Sequence, residues 1–230
     1  MSRIVLPQGE EKTRRVQLMF DTIAPRYEFV NKLMTLGMDR RWRRHTIRDL
    51  YLPPESRVLD IATGTGDLYR ESLRQGLLPI GTDLSFGMLA VGQHLNISVQ
   101  SDAAHLPFLS GSFDGVTCGY ALRNFTELQL SLNEMARVLR PGGRLSIIEV
   151  SEPKNVVLRF GFRIWFRGLV PIIGAIVSDR GAYQYLPKST AYLPPTEVLR
   201  SMFNVAGFSA VNHHSILGGL SQRFTATRST

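Results

Sequence analysis

The stretch that decides the fold is Arg57-Val58-Leu59-Asp60-Ile61-Ala62-Thr63-Gly64-Thr65-Gly66-Asp67. Arg57 to Ile61 reads as a buried strand, and it runs into a turn built on two glycines. Gly64 and Gly66 carry no Cβ, so the backbone there can turn tightly and approach a ligand closely. A helical stretch follows, and its first turn offers unpaired N–H groups and partial positive charge to an anion. The pattern is Asp-x-Ala-x-Gly-x-Gly. It is not the Gly-x-Gly-x-x-Gly run that cradles a dinucleotide pyrophosphate, so that fingerprint fails. A carboxylate would suit the helix end as well as a phosphate. Asp60, at the strand end, is placed to orient the turn or to face an ammonium.

Outward from this stretch, strands and helices alternate. Leu78 to Thr82 is a second strand, with Pro79 pointing to an edge or a strand start. Ser85 to Leu95 reads as a helix capped by Ser85. Ile97 to Gln100, Phe113 to Tyr120 and Arg144 to Val150 are further strands. Glu127 to Leu139 is an amphipathic helix stopped by Pro141-Gly142-Gly143. Residues 14–50 read as helical, with Asp21 or Thr22 and later Asp39 as caps, and Pro53-Pro54 ends them. The alternation predicts an α/β fold: a Rossmann-like, doubly wound, mainly parallel sheet with an N-terminal helical lid. Residues 1–50 form the lid and 51–230 the ligand-binding domain, with a substrate-covering insertion at about 154–197. Ligands of such sheets bind outside the carboxyl ends of the strands.

The ends of the next two strands extend the pattern. The second closes in Asp83, whose carboxylate can accept two hydrogen bonds from ribose hydroxyls. The third closes in Ser101-Asp102-Ala103, where Asp102 can accept from an exocyclic adenine amine and a nearby N–H can donate to a ring nitrogen. Each carboxylate alone reads equally well as a helix cap. Three such features at three successive strand ends describe an amine, a carboxylate, a ribose and an adenine, which are the parts of S-adenosyl-L-methionine. The expected cofactor-binding residues are Asp60, Ala62, Gly64, Thr65, Gly66, Asp83, Leu84, Asp102 and Ala103.

Composition bounds the alternatives. The chain has 230 residues, a formal net charge of +8 and one cysteine, Cys118. A disulfide framework and a cysteine zinc site within the chain are excluded, which fits a reducing compartment. His45, His94, His105, His213 and His214 show no metal-ligand spacing, and no metal is expected. The N-terminal segment lacks the apolar core of a secretory signal. Gly168 to Ser178 is apolar but too short to span a bilayer. A cytoplasmic protein is expected, with peripheral membrane contact left open. Residues 156–177 set Arg159, Arg163 and Arg167 beside Phe160, Phe162, Trp165, Phe166 and Leu169 at helical period. They read as a core helix with a solvated basic face, or as one that covers a lipid tail or rests on anionic lipid. The positive charge would suit nucleic acid, yet no RNA-binding module or stacking motif is evident, so no nucleic-acid partner is expected.

Several strings have no role in generic cofactor binding. They are Phe20-Asp21-Thr22-Ile23-Ala24-Pro25-Arg26-Tyr27 with Asn31, Gly37-Met38-Asp39-Arg40-Arg41-Trp42, the 81–89 run GTDLSFGML, Leu122-Arg123-Asn124, the 137–151 run RVLRPGGRLSIIEVS and the 183–190 run YQYLPKST. On these strings, over about residues 16–210, the chain resembles the ubiquinone/menaquinone biosynthesis C-methyltransferases of the class I S-adenosylmethionine-dependent methyltransferases. It departs from their usual pattern at Gly119, where serine is common, at Asp39, where many members have histidine, and in the tail 218–228. The resemblance implies C-methylation of a prenylated benzoquinol or naphthoquinol, a lipophilic small-molecule partner. It carries the family's cofactor positions onto Thr65, Asp83, Asp102 and Ala103. It points to Arg123 and Asn124, with Tyr27 and Asp21 from the lid, as catalytic candidates. Arg123 stays protonated and is a poor base, but it could stabilise a phenolate or orient a water. Two alternatives remain open: a methyltransferase for another small aromatic or lipid-like acceptor, and a non-catalytic S-adenosylmethionine-binding protein. A homodimer is also left open.

Overall fold

The computed structural model describes residues 9–35, 37–92, 97–153, 155, 159–161 and 189–230. Among these, β1 (Arg57–Ile61), β2 (Leu78–Asp83), β3 (Ser98–Gln100), β4 (Phe113–Gly119), β5 (Leu139–Val150), β6 (Phe208–Ile216) and β7 (Ser221–Arg228) form one sheet. Its order is β3-β2-β1-β4-β5-β7-β6. The first five strands pair in parallel, while β7 runs antiparallel to both β5 and β6. The chain winds outward from β1 to β3, then returns to lay β4 on the other side of β1. That reversal opens a crevice at the carboxyl ends of β1 and β4.

The strands form because both faces of the sheet are covered. Val58 packs with Ile47, Leu50, Leu68, Leu77 and Ile148 on one face. Its neighbours Leu59 and Ile61 join Leu132, Met135, Phe203 and Phe224 on the other. Alternate residues of one strand thus serve two cores. The α-helices among the described residues include α1 (Gly9–Met34), α2 (Asp39–Arg48), α3 (Asp67–Arg74), α4 (Phe86–Val91), α5 (Leu128–Val138) and α6 (Thr196–Val205). Burial of Ile47 and Leu50 ties α2 and the turn after it into the layer formed with α3. Ser85 caps α4 as expected, its Oγ accepting from the Met88 amide at 3.1 Å.

Two expectations need correction. Neither Asp21 nor Thr22 begins a helix, because α1 runs through both. The Thr22 hydroxyl turns back onto the Leu18 carbonyl at 2.7 Å, and the Asp21 side chain reaches out of its helix altogether. Asp39 is the first residue of α2 rather than its cap. Its carboxylate accepts from the Thr35 hydroxyl at 2.9 Å and pairs with Arg43 at 3.1 Å. The hairpin of β6 and β7 was not expected at all. Its turn, Leu217-Gly218-Gly219, has positive φ at all three residues, and a bulge between Ser209 and Asn212 breaks the alternation of β6.

At Gly119 a Cβ would lie 2.9 Å from Leu68 Cδ1, so a side chain there would require the end of Leu68 to shift. Of the expected insertion at about 154–197, Asn155, residues 159–161 and residues 189–197 fall among the described residues. The amphipathic stretch 156–177, apart from 159–161, and residues 183–188 lie outside them.

Candidate active site

A cleft partly open to solvent lies over the crevice. The strand ends build its floor. Ile61 and Ala62 lie at the end of β1, Asp83 and Leu84 at the end of β2, Ser101, Asp102 and Ala103 just after β3, and Gly119, Tyr120 and Ala121 at the end of β4. Two non-glycine residues here hold left-handed backbone, Ala62 at φ 53° and Tyr120 at φ 58°. They follow adjacent strands, so the reversal of each chain is sharpest where the crevice opens.

Asp83 is the hub of the floor. One carboxylate oxygen accepts from the Gly64 amide at 2.8 Å, and the other accepts from the Ser85 amide at 2.8 Å. Burial pushes its pKa up to about 6, against the pull of those amides. Gly64 itself sits at φ +58°, and a Cβ there would meet nothing within 4 Å, so an open space faces the turn. Asp102 closes its own turn by accepting from the Ala104 amide at 2.9 Å, while still facing the cleft.

Asp60, Thr65 and Gly66 do not line the cleft. Asp60 is 1 % exposed, and its two oxygens accept from the hydroxyls of Thr63 at 2.7 Å and Thr117 at 2.8 Å. These bonds tie Asp60 to the turn and to β4, and burial raises its pKa to about 6. Gly66 precedes α3 in left-handed conformation. Thr65 is buried beside it, its carbonyl accepting from Arg70 at 2.7 Å. The turn is further seated on β2 through Thr63, whose Cγ2 lies 3.0 Å from where a Cβ on Gly81 would stand. Gly81 thus admits the turn, a role its sequence context did not reveal.

The roof is α1. Thr13, Val16, Gln17, Phe20 and Tyr27 face the cleft from one side of the helix, with Met88 and Phe125 completing an apolar wall. Phe20 and Tyr27 meet edge to face with centroids 6.1 Å apart. Only Tyr27 was singled out beforehand, although the others recur at helical spacing and could have been found from that. The helix is held at both sides of the crevice. Lys12 Nζ donates to the carbonyls of Phe125 at 2.7 Å and Arg123 at 3.2 Å, and lies 4.0 Å from the centroid of the Tyr192 ring. Burial lowers the Lys12 pKa to about 8. On the far side, Asp21 accepts from the Ser85 hydroxyl at 2.5 Å and the Gly87 amide at 2.8 Å.

The four catalytic candidates therefore separate. Asn124 and Tyr27 face the cleft. Asp21 does not, because both its hydrogen bonds go to the loop at the start of α4. Arg123 does not line it either. Its guanidinium pairs with Glu149, which is fully buried, and also donates to the Tyr120 carbonyl at 2.6 Å and the Ser189 hydroxyl at 3.0 Å. These bonds tie Arg123 to β5, to Ser189 and to the turn after β4.

Residues 8–228 match the ubiE/COQ5 methyltransferase family. The chain belongs to that family. The "Ubiquinone/menaquinone biosynthesis C-methyltransferase UbiE" of Geotalea daltonii is 34% identical over 231 residues, covering 95% of this chain and 98% of that protein. The "Demethylmenaquinone methyltransferase" of a Roseiflexus species is 38% identical over 224 residues, covering 94% of each. Among solved structures, magnesium protoporphyrin IX methyltransferase from Synechocystis, with S-adenosylhomocysteine bound, aligns over 94% of this chain and 99% of its own at a TM-score of 0.66 and 19% identity. The last match shows the shared fold. Family membership makes the chain an S-adenosylmethionine-dependent methyltransferase with a Rossmann-like sheet. Among the described residues no helix is long and apolar enough to cross a membrane.

Proposed function

We propose that this methyltransferase transfers a methyl group to a ring carbon of a prenylated quinol, demethylmenaquinol or a close relative, in quinone biosynthesis. The observation that carries the reading is the two-part cleft: a floor of carboxylates and strained turns, under a roof of Val16, Phe20, Tyr27, Met88 and Phe125. The floor suits a nucleoside and the roof suits a flat, apolar ring. The family relatives named for quinone methylation supply the substrate class.

The residues present fit S-adenosylmethionine. Asp83 would take the ribose hydroxyls and Asp102 the adenine amine. The Ala62–Gly64 turn, with open space at Gly64, would receive the amino-acid end, held in place from behind by Asp60, Thr63 and Thr117. Bound there, the cofactor supplies an already activated methyl group, so alignment is the main task left to the chain. The apolar roof excludes water from the acceptor ring and fixes its plane. Asn124, at the cleft wall, is the side chain we assign to hold the acceptor's ring oxygen or a water beside it. Arg123 keeps Asn124 in place through the Glu149 and Tyr120 bonds. Tyr120 is not a base at neutral pH, because burial pushes its pKa up to about 12.

The test is methyl transfer from methyl-labelled S-adenosylmethionine to a panel of reduced demethylated quinones and other aromatic acceptors, read by product mass and by the position of the label. Transfer to a non-quinol acceptor alone would assign the chain to a different small-molecule substrate.

A further inference from the structure

One loop serves both the cofactor floor and the roof. Residues 83–87 begin with the Asp83 carboxylate, which accepts from the Ser85 amide at 2.8 Å. Ser85 then uses its hydroxyl twice: it donates to Asp21 at 2.5 Å and accepts from the Met88 amide at 3.1 Å. The Gly87 amide donates to the same Asp21 oxygen at 2.8 Å. A Cβ on Gly87 would lie 3.0 Å from Asp21 Cα and 3.2 Å from its carbonyl oxygen, so any larger residue would press on α1. Asp21 sits next to Phe20 on α1, and both partners of its carboxylate lie on the loop that Asp83 anchors.

We propose that Asp21 is a positioning residue which makes the seating of α1 over the cleft depend on the ligand held by Asp83. The inference rests on the reading of Asp83 as the ribose acceptor. Ribose hydroxyls on Asp83 fix the carboxylate and, through the Ser85 amide, the 84–87 loop. A fixed loop presents the Ser85 hydroxyl and Gly87 amide to Asp21 with their ordering cost already met. The roof therefore closes more firmly on cofactor-loaded protein, and Phe20 and Tyr27 take up the acceptor-facing position once the methyl donor is in place. Coupling of this kind between neighbouring sites is typically about 5- to 150-fold.

Hydrogen exchange of the α1 amides, with and without S-adenosylhomocysteine, tests it on the full chain. In the wild type, saturating S-adenosylhomocysteine should slow exchange over residues 13–27 by roughly tenfold. Asp21→Ala should still bind the ligand, because Asp21 does not face the cleft, yet lose most of that slowing. Asp21→Asn should keep it, because an amide oxygen still accepts from Ser85 and Gly87. Ser85→Ala removes the hydroxyl link from the other side and, at saturating S-adenosylhomocysteine, should also lose most of the slowing, which carries the test if Asp21→Ala does not fold. Undiminished slowing in either alanine variant overturns the inference alone. Loss of slowing in Asp21→Asn equal to that in Asp21→Ala also overturns it. Failure of the wild type to bind S-adenosylhomocysteine overturns the cofactor reading and the inference together.

Discussion

The Gly64 amide donates to the Asp83 carboxylate at 2.8 Å, so the glycine turn after β1 and the acid that ends β2 are one hydrogen-bonded unit. The two residues come from strands whose ends lie side by side at Ile61 and Thr82. The bond places a carboxylate acceptor and an open glycine backbone on the same wall of the cleft. Removing the acid should therefore affect the nucleoside contact and the shape of the turn at once.

Asp83→Ala should weaken S-adenosylhomocysteine binding by about 1.5–3 kcal/mol, roughly 10- to 150-fold, the worth of hydrogen bonds to a charged group. Isothermal titration calorimetry reads this directly. In the wild type the carboxylate must be ionised to accept two ribose hydroxyls. With a pKa raised to about 6, affinity should hold above neutrality and decline as pH falls through that value. An affinity unchanged in the variant removes Asp83 from the ribose site.

Burial raises the pKa of both Asp60 and Asp83 from 3.8 to about 6 in the folded ligand-free chain. The native state then holds more protons than the unfolded chain between about pH 4 and 6. These two groups thus contribute stability that is fully present below pH 4 and lost as pH rises through 6. Asp60→Asn removes one titration. From pH 4 to pH 7, the urea stability of the variant should improve relative to wild type by an amount on the order of 2 kcal/mol. A pH-independent difference between the two would show that Asp60 ionises normally.

Arg123→Met leaves Glu149 buried without its cation, which should destabilise the fold by about 3–5 kcal/mol in urea denaturation. Adding Glu149→Leu should restore most of that loss. If the single variant instead unfolds like wild type while turnover falls, Arg123 acts on substrate and not on the loop.

Gly87→Ala sets two effects against each other. Alanine in a helix is worth about 1 kcal/mol over glycine. Here its methyl would press on Asp21 backbone atoms at 3.0–3.2 Å, and overpacking against backbone costs about 1–3 kcal/mol. The clash should win, giving a net loss in thermal stability and faster proteolysis within α1. A stabilised variant would mean that α1 yields easily.

The sheet and the strand-end residues that line the cleft were legible in the sequence because both depend on local patterns. Apolar runs such as Arg57–Ile61 and Arg144–Val150 end in residues that a parallel strand must deliver to one edge. The hairpin of β6 and β7 was not legible. Ser221, Gln222 and Thr225 are buried polar residues, and Asn212, His213 and His214 stand on a bulged edge strand, so no apolar alternation announces either strand. The placement of the acids was legible while their roles were not. Asp60, Asp83 and Asp102 all lie at or just beyond strand ends, and the hydroxyls of Thr63 and Thr117 hold Asp60 out of the cleft lining. Arg123 and Asp21 likewise belong to strings that mark the family, but their partners Glu149, Ser189, Ser85 and Gly87 lie 26 to 66 residues away and cannot be read from spacing.

The most direct measurement is a single reaction: purified protein, methyl-labelled S-adenosylmethionine and chemically reduced demethylmenaquinone, with the product mapped by mass spectrometry and NMR. The expected result is one labelled methyl on a ring carbon beside a quinol oxygen, abolished in Asp83→Ala and strongly reduced in Asn124→Ala. Label on oxygen, or no label in any quinol while another aromatic acceptor is methylated, would contradict it.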